Sequence, residues 1–377
     1  MKVLVCIPCL LTGGTEIQTL SLVKALINAG HSVTIVCYFE YSTQMVERYK
    51  AAGAEVRLLS ESGSRTQGIK ATVSHLWHGL KKTVKEIKPD IAHVQYMAPG
   101  ALPIIILRAL GVKKIIATAH TAGDLYSPRG LQIIRLLNNR ILRGFQCITE
   151  RAERSFFGSS TLLNTGLHFD KHGNHFTIYN NLPSYISLRS DSRSFSTDKP
   201  ITIGVVSRLE HIKGMDLVIP AFAIVHKKYP NTKLLVVGDG SLRPAMENQA
   251  GDNGISTEVE FTGRQPQDAL QEHYDRIDIL LMPSRSEGFG LTAVEGMARG
   301  CVTIAADTGG LPEVIRDGKD GLLHKPETVE DMADKIKYLL SDIGRLSNCS
   351  RSAIERANDF TAERYNTQIS LLYNNIK

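Results

Sequence analysis

At 377 residues the chain is longer than one ordinary core supports, so two domains are expected. Its 42% hydrophobic and 22% charged residues mark a folded globular protein, not a disordered or fibrous one. No run reaches the roughly 18 apolar residues of a membrane-spanning helix, since Arg108 interrupts the nearest, 101–112. Residues 1–196 carry a net charge of +11 and the rest −5, so the first half is expected to meet something anionic: a membrane surface, a lipid diphosphate or nucleic acid.

The chain opens on an apolar run without the small-x-small pattern of a cleavage site, which reads as a buried first strand and a cytoplasmic protein. Six scattered cysteines fit reduced thiols; Cys6 and Cys9 match C-x-x-C but have no second pair. Apolar strand patterns at 3–8, 32–38, 55–59, 90–95, 114–119, 146–149 and 176–179 alternate with helical ones, the arrangement of a parallel sheet covered on both faces. Gly13 and Gly14 lie between the first strand and a helix expected from about Thr15 to Ala29. They form either a plain strand–helix turn or a loop whose backbone donors face a phosphate. His120 closes the strand 114–119, where a polar side chain points toward a ligand crevice.

Two segments hold much of the first half's positive charge. In 70–88, Val73, Leu76, Trp77, Leu80, Val84 and Ile87 recur at helical spacing among lysines, which predicts a helix with a core face and a solvated face. In 128–145, Arg129, Arg135, Arg140 and Arg143 mix with more Leu and Ile than one buried face needs, so this segment is the candidate for an anionic lipid surface or acceptor. His168, His172 and His175 with Asp170 are interrupted by Gly173 and Asn174 and are not read as a metal set. A stretch rich in Ser, Arg and Asp, 186–199, reads as a linker.

The second half repeats the α/β pattern, with strands expected at 201–207, 233–237, 259–262, 277–282, 302–305 and 322–324 and a helix from about Met215 to Tyr229. Arg208 and Lys213 follow its first strand, placed to neutralise a diphosphate. Gly238 and Gly240 end the second strand, and Gly263 and Arg264 the third. Residues 284–300 read SRSEGFGLTAVEGMARG, a loop running into a helix. Gly288 and Gly290 let backbone approach a ligand, and the N–H groups from about Gly290 and Leu291 onward seat a phosphate. Beside a phosphate, Glu287 and Glu295 make sense as acceptors from neutral hydroxyls. Together these features describe a nucleotide-sugar site, one carboxylate for the ribose and one for the sugar.

The setting S-x-x-E-G-F-G-L-x-x-x-E-x-M-x-x-G resembles the signature of the retaining glycosyltransferases of family 4, also called glycosyl transferases group 1. Arg208-Leu-x-x-x-Lys213-Gly214, Val237-Gly-x-Gly240 and Gly13-Gly14-x-Glu16 resemble further motifs of that family. The resemblance implies a GT-B fold, two Rossmann-like doubly wound domains facing across a cleft: an acceptor-side domain, 1–185, a nucleotide-sugar domain, 200–359, and a last helix, 360–377, packing back on the first. It implies donor contacts at Gly13, Gly14, Gly238, Gly240, Gly263, Arg264, Gly288, Phe289, Gly290 and Leu291. It also implies a catalytic set of His120, Arg208, Lys213 and Glu287, with Glu295 on the ribose. Departures are Asn180-Asn-Leu-Pro183 where N-G-V-D is common, Gly296 where Ala is usual, and Thr303 where Pro is usual.

The expectation is a retaining, metal-independent transfer from a nucleotide-diphosphate sugar, UDP-sugars first, to a glycan or polyprenyl-diphosphate-linked acceptor in surface polysaccharide or glycolipid assembly. The protein would act without a cofactor and lie peripherally on the cytoplasmic membrane face. No Asp-x-Asp occurs in the chain, so Arg208 and Lys213 would carry the charge that a metal otherwise balances. The alternatives are a GT-B sugar-nucleotide epimerase and a non-catalytic nucleotide-sugar sensor. Nucleic-acid binding by the basic half lacks the interleaved aromatics it needs, and none is expected.

Overall fold

The computed structural model describes residues 1–95, 101–169, 171–196 and 198–376. The chain divides into two compact units, Met1–Asn181 with Ala362–Lys377, and Leu182–Thr361.

The strands of the first unit are Lys2–Ile7 (β1), Ser32–Cys37 (β2), Glu55–Leu58 (β3), Ile91–Gln95 (β4), Ile115–Ala119 (β5), Gly144–Cys147 (β6) and His175–Thr177 (β7). They form a seven-stranded sheet in the order β3-β2-β1-β4-β5-β6-β7, and every pairing is parallel. Central strands β4 and β5 are buried along their whole length, which is why they read as apolar runs without alternation. The sixth strand begins two residues before its expected start. A Cβ on Gly144 would lie 2.8 Å from the Phe176 ring, so glycine is what lets the two strands close. It also ends early, because the Thr149 side chain accepts from Ala152 N at 3.2 Å and starts the helix Glu150–Phe157.

The lysine-rich segment forms the helix Ile69–Ile87, burying Leu76, Leu80 and Thr83. Val73 and Trp77, expected in the core, are instead 38% and 36% exposed. At about 100° per residue, Trp77 lies a quarter-turn round the axis from Leu76 and misses the narrow buried stripe. The closing helix, Ala362–Asn375, belongs to this unit and packs on Gly14–Asn28, and its Tyr373 hydroxyl meets His93 Nδ1 at 2.9 Å.

The second unit holds Ile201–Val206 (β8), Thr232–Val237 (β9), Val259–Gly263 (β10), Ile279–Met282 (β11), Val302–Ala306 (β12) and Gly321–His324 (β13). They form a parallel sheet in the order β10-β9-β8-β11-β12-β13. Phe222, Met246, Ile336, Leu339 and Leu346 pack against it in one continuous core. The helix expected from Met215 starts as a 3-10 turn, Met215–Leu217, and becomes α-helical over Val218–Lys228. Gly296 is explained by packing: a Cβ there would lie 2.4 Å from Leu280 Cδ2 on β11.

The stretch expected as a linker is bound to the second unit. Ser187 N donates to Gln271 Oε1 at 2.8 Å, and Arg189 N donates to Ala298 O at 2.9 Å. The guanidinium of Arg193 caps the carbonyls of Asp275 and Ile277 at the end of the helix Leu270–Arg276. Those carbonyls have no partner inside their own helix, and an arginine supplies it whatever the polarity of the segment around it. In both sheets the strand order reverses beside the first strand, at β1/β4 and at β8/β11. That is where an open α/β sheet leaves a crevice at its C-terminal edge.

Candidate functional site

In the second unit the loop after β8 is flanked by the loops after β9 and β11. Leu209 N donates to Asp239 O at 3.0 Å and Leu242 N to Leu209 O at 2.9 Å. On the other side Arg285 N donates to Ile212 O and Gly310 N to Glu287 O, both at 3.0 Å. Two glycines make this stacking possible. Gly238 has φ +134 and a Cβ there would sit 1.8 Å from Ser207 O; Gly309 has φ +56 and a Cβ there would sit 1.8 Å from Glu287 O. Gly238 N also bonds Gly263 O at 3.0 Å, which brings the end of β10 into the same edge. Gly240 follows in the same turn, and Arg264 is exposed one residue past Gly263.

This arrangement brings two of the sequence-selected residues together. Lys213 Nζ lies 2.7 Å from Glu287 Oε2, across the β8/β11 switch point, with side chains 23% and 17% exposed. A pair with this much water access contributes at most about 1 kcal/mol, so either partner can exchange the other for a ligand. Arg208 is exposed on the same loop and makes no side-chain hydrogen bond or ion pair among the described residues. The helix Leu291–Ala298 starts at Gly290, φ +102, without a side-chain cap, leaving the N–H groups of Leu291 and Thr292 outside its own hydrogen bonding.

Other selected residues lie differently. Phe289 is buried with its ring against Phe360, centroids 5.5 Å apart, so its side chain is core. Glu295 is buried too, and both its oxygens are engaged: Tyr185 Oη donates to Oε1 and Tyr274 Oη to Oε2, each at 2.6 Å. Burial pushes its carboxyl above the usual range, against the two phenols.

Sequence reasoning missed both tyrosines, and also the clamp that sets the Glu287 loop. Arg285 grips both oxygens of Asp216 at 2.7 and 2.9 Å and donates to His211 O at 2.6 Å. The guanidinium holds Asp216 below the usual carboxylate range. Nothing in the spacing of Tyr185, Tyr274 or Asp216 singles them out.

In the first unit Gly13 precedes the helix Gly14–Asn28 in ordinary extended conformation and gives it no side-chain cap. Glu16, in that helix's first turn, is buried; it accepts from Cys9 Sγ at 3.1 Å, and burial raises its carboxyl above the usual range. All six cysteines are free thiols, and burial pushes Cys6 and Cys9 up to about 12.

His120 follows β5, and its Nε2 lies 2.9 Å from Gln95 Oε1 at the end of β4. Desolvation pushes its imidazole down to about 4. Gln95, unremarked in sequence, had one signal: with His93 it is a polar residue at alternate positions of an otherwise apolar strand.

Of the four arginines, Arg129 and Arg140 are exposed on the helix Pro128–Arg140 beside exposed Ile133 and Leu136. Arg135 Nε instead donates to Phe156 O at 2.6 Å, and Arg143, past the helix end, is half-buried. His172 Nδ1 is 3.1 Å from Leu142 O and His175 Nδ1 2.6 Å from Glu153 Oε1, so each ring has a structural partner; Asp170 lies outside the described residues.

Two doubly wound parallel-sheet units, the second with cationic and carboxylate side chains at its switch point, define the class as α/β with GT-B architecture. Family models agree over most of both units. Residues 189–356 match glycosyl transferases group 1 and residues 12–168 match glycosyltransferase family 4, and the chain belongs to this family.

Among curated relatives, the D-inositol 3-phosphate glycosyltransferase of Corynebacterium aurimucosum is 33% identical over 177 residues, 45% of this chain. The chain spans 42% of that relative's length. The GDP-mannose-dependent alpha-(1-6)-phosphatidylinositol monomannoside mannosyltransferase of Mycolicibacterium smegmatis is 28% identical over 272 residues, 70% of each chain. The crystal structure of Anabaena HepE with UDP and glucose superposes with a TM-score of 0.78 over 99% of both chains at 17% identity, a likeness of fold.

Proposed function

We propose that the chain is a retaining, metal-independent glycosyltransferase that moves a sugar from a nucleotide-diphosphate sugar to a glycan or lipid-linked acceptor. The observation that carries this reading is the Lys213–Glu287 pair beside exposed Arg208 at the switch point of the second sheet. On this reading Arg208 and Lys213, with the uncapped helix start at Gly290, take up the charge of the departing diphosphate. Glu287, released from Lys213, accepts from the sugar hydroxyls, and Gly238 and Gly240 let the nucleoside lie close to the backbone. A ribose contact by Glu295 requires its oxygens to accept from a ribose hydroxyl beside, or in place of, Tyr185. On this reading the displacement takes place on the front face of the sugar, with the leaving phosphate helping to take the acceptor's proton.

A UDP-sugar is the leading donor; UDP complexes among the structural neighbours and the GDP-mannose relative make both nucleosides the first to test. The acceptor side is assigned to the first unit on its charge. Arg129 and Arg140 beside Ile133 and Leu136 form a basic and apolar face suited to an anionic leaflet, and Ile69, Val73 and Trp77 form a second exposed apolar stripe among lysines. Among the described residues no helix is long and apolar enough to cross a membrane, and attachment on this reading is peripheral.

The test is a panel of UDP-, GDP- and ADP-sugars with lipid-linked and glycan acceptors in the presence of EDTA. A transferred sugar of unchanged anomeric configuration is expected. Formation of an epimer without acceptor, or binding without turnover over the whole panel, would overturn transfer in favour of epimerisation or sensing. Cosedimentation with phosphatidylglycerol vesicles at low salt, weakened in R129E/R140E, is the separate test of the membrane part.

A further inference from the structure

The C-terminal ends of β4 and β5 carry a buried polar group with an unusual balance of partners. His93 Nδ1 meets Tyr373 Oη at 2.9 Å and His93 Nε2 meets Thr118 Oγ1 at 2.7 Å. One register step on, Gln95 pairs with Thr118 across the two strands, and Gln95 Oε1 meets His120 Nε2 at 2.9 Å. Gln95 is 2% exposed. An amide oxygen can only accept, so the imidazole nitrogen facing it must carry the hydrogen. The other ring nitrogen of His120, Nδ1, has no partner among the described residues. The amide nitrogen of Gln95 is buried and likewise has no partner among the described residues. Among the described residues no carboxylate bonds the ring to favour a cation; the titratable group coupled to it is His93, itself neutral because burial pushes it down to about 3.

We propose that Gln95 is a positioning residue for His120, holding the ring as the neutral Nε2–H tautomer so that Nδ1 is left as a hydrogen-bond acceptor for a substrate hydroxyl. The substrate part of this rests on the glycosyltransfer reading above; the tautomer does not. A neutral ring with a bare Nδ1 orients a substrate hydroxyl by accepting from it and presents no cation to it. The uncommitted amide N–H groups of Gln95 fit the same purpose, since a buried donor without a partner is suited to an oxygen that arrives with the ligand.

The experiment is long-range proton–nitrogen NMR of the uniformly 15N-labelled full chain near pH 7, with the His120 ring signals assigned by their loss in His120→Gln. The expected result is the Nε2–H pattern in the wild-type protein, an averaged pattern of both tautomers in Gln95→Met, and in Gln95→Glu an Nε2 that keeps its proton while the new carboxylate draws the ring toward imidazolium. An Nδ1–H pattern or an imidazolium in the wild type overturns the proposal by itself, whether or not either variant folds; so does an unchanged pattern in folded Gln95→Met. In the transfer assay Gln95→Met is expected to lower kcat about tenfold with KM within about twofold. If the NMR result holds and no substrate is ever turned over, the tautomer stands and the glycosyltransfer reading fails.

Discussion

Glu295 illustrates how much a single residue's role depends on neighbours distant in sequence. The motif places a carboxylate eight residues after Glu287, yet the chain surrounds it with the hydroxyls of Tyr185 and Tyr274, each at 2.6 Å. Removing one phenolic hydroxyl leaves a buried, partly satisfied carboxyl. Tyr274→Phe is therefore expected to destabilise the protein by about 1–3 kcal/mol, measured by urea unfolding. No change within about 0.3 kcal/mol would mean that water replaces the hydroxyl and that Glu295 is more accessible than its burial indicates. The charged motif residues Arg208, Lys213 and Glu287 were legible because their chemistry sits in short, fixed spacings. Tyr185 and Tyr274 were not, because they come from an irregular segment and a neighbouring helix and meet the carboxylate only through the fold. Gln95 was half-legible, as an alternate polar position in a buried strand, but its partner His120 lies just past the end of a different strand.

At the scale of elements, all thirteen strands among the described residues were readable, because parallel strands buried on both faces leave apolar runs bounded by polar turns. Helix faces were less so: the stripe that Leu76, Leu80 and Thr83 bury is narrower than the apolar pattern, which left Trp77 exposed. The irregular stretch expected as a linker carries contacts at Ser187, Arg189 and Arg193 that its lack of periodicity does not announce, since such a segment can still be fixed by arginine and backbone hydrogen bonds. The loops at the C-terminal edge of the second sheet set the geometry of the Glu287 carboxylate through one glycine. Gly309→Ala would force a Cβ toward Glu287 O in a left-handed conformation. The variant is expected to lose at least about 2 kcal/mol of stability and to lose activity beyond what that explains, because the carboxylate itself is displaced. Thermal melts read beside kinetics on the folded fraction check this. A stable Gly309→Ala with full activity would show that the Glu287 loop is less tightly set than its packing indicates.

For the molecule as a whole, buried His93 and half-buried His120 of the first unit give a pH dependence with a definite sign. His93 and His120 are pushed down to about 3 and about 4 in the folded chain, against 6.5 in the open chain. As pH falls below about 6.5 the unfolded chain binds protons that the folded one refuses, so stability is lost progressively toward pH 4. Above pH 7 both states are neutral and the contribution is constant. Glu295 and Asp278, raised by burial, act with the opposite sign within the carboxylate range, so the histidine part is best read as a difference between variants. His93 contributes about 2 kcal/mol of that loss by pH 5. Melting temperatures of the wild type and His93→Gln at pH 7 and pH 5 test it. The expected outcome is a smaller acid-induced drop in the variant, and equal drops would mean that His93 is charged in the folded chain.

The central claim, that the second unit divides a nucleotide-diphosphate sugar between cations for the diphosphate and Glu287 for the sugar, is tested most directly by calorimetry. The ligands are a nucleoside diphosphate and its matching nucleotide sugar, titrated in EDTA into the wild type, Arg208→Ala and Glu287→Gln. The account predicts that Arg208→Ala weakens both ligands by about tenfold or more, whereas Glu287→Gln weakens the nucleotide sugar alone and leaves the diphosphate within about twofold. Equal loss of both ligands in the two variants, or no binding of any UDP, GDP or ADP ligand to the wild type, would contradict it.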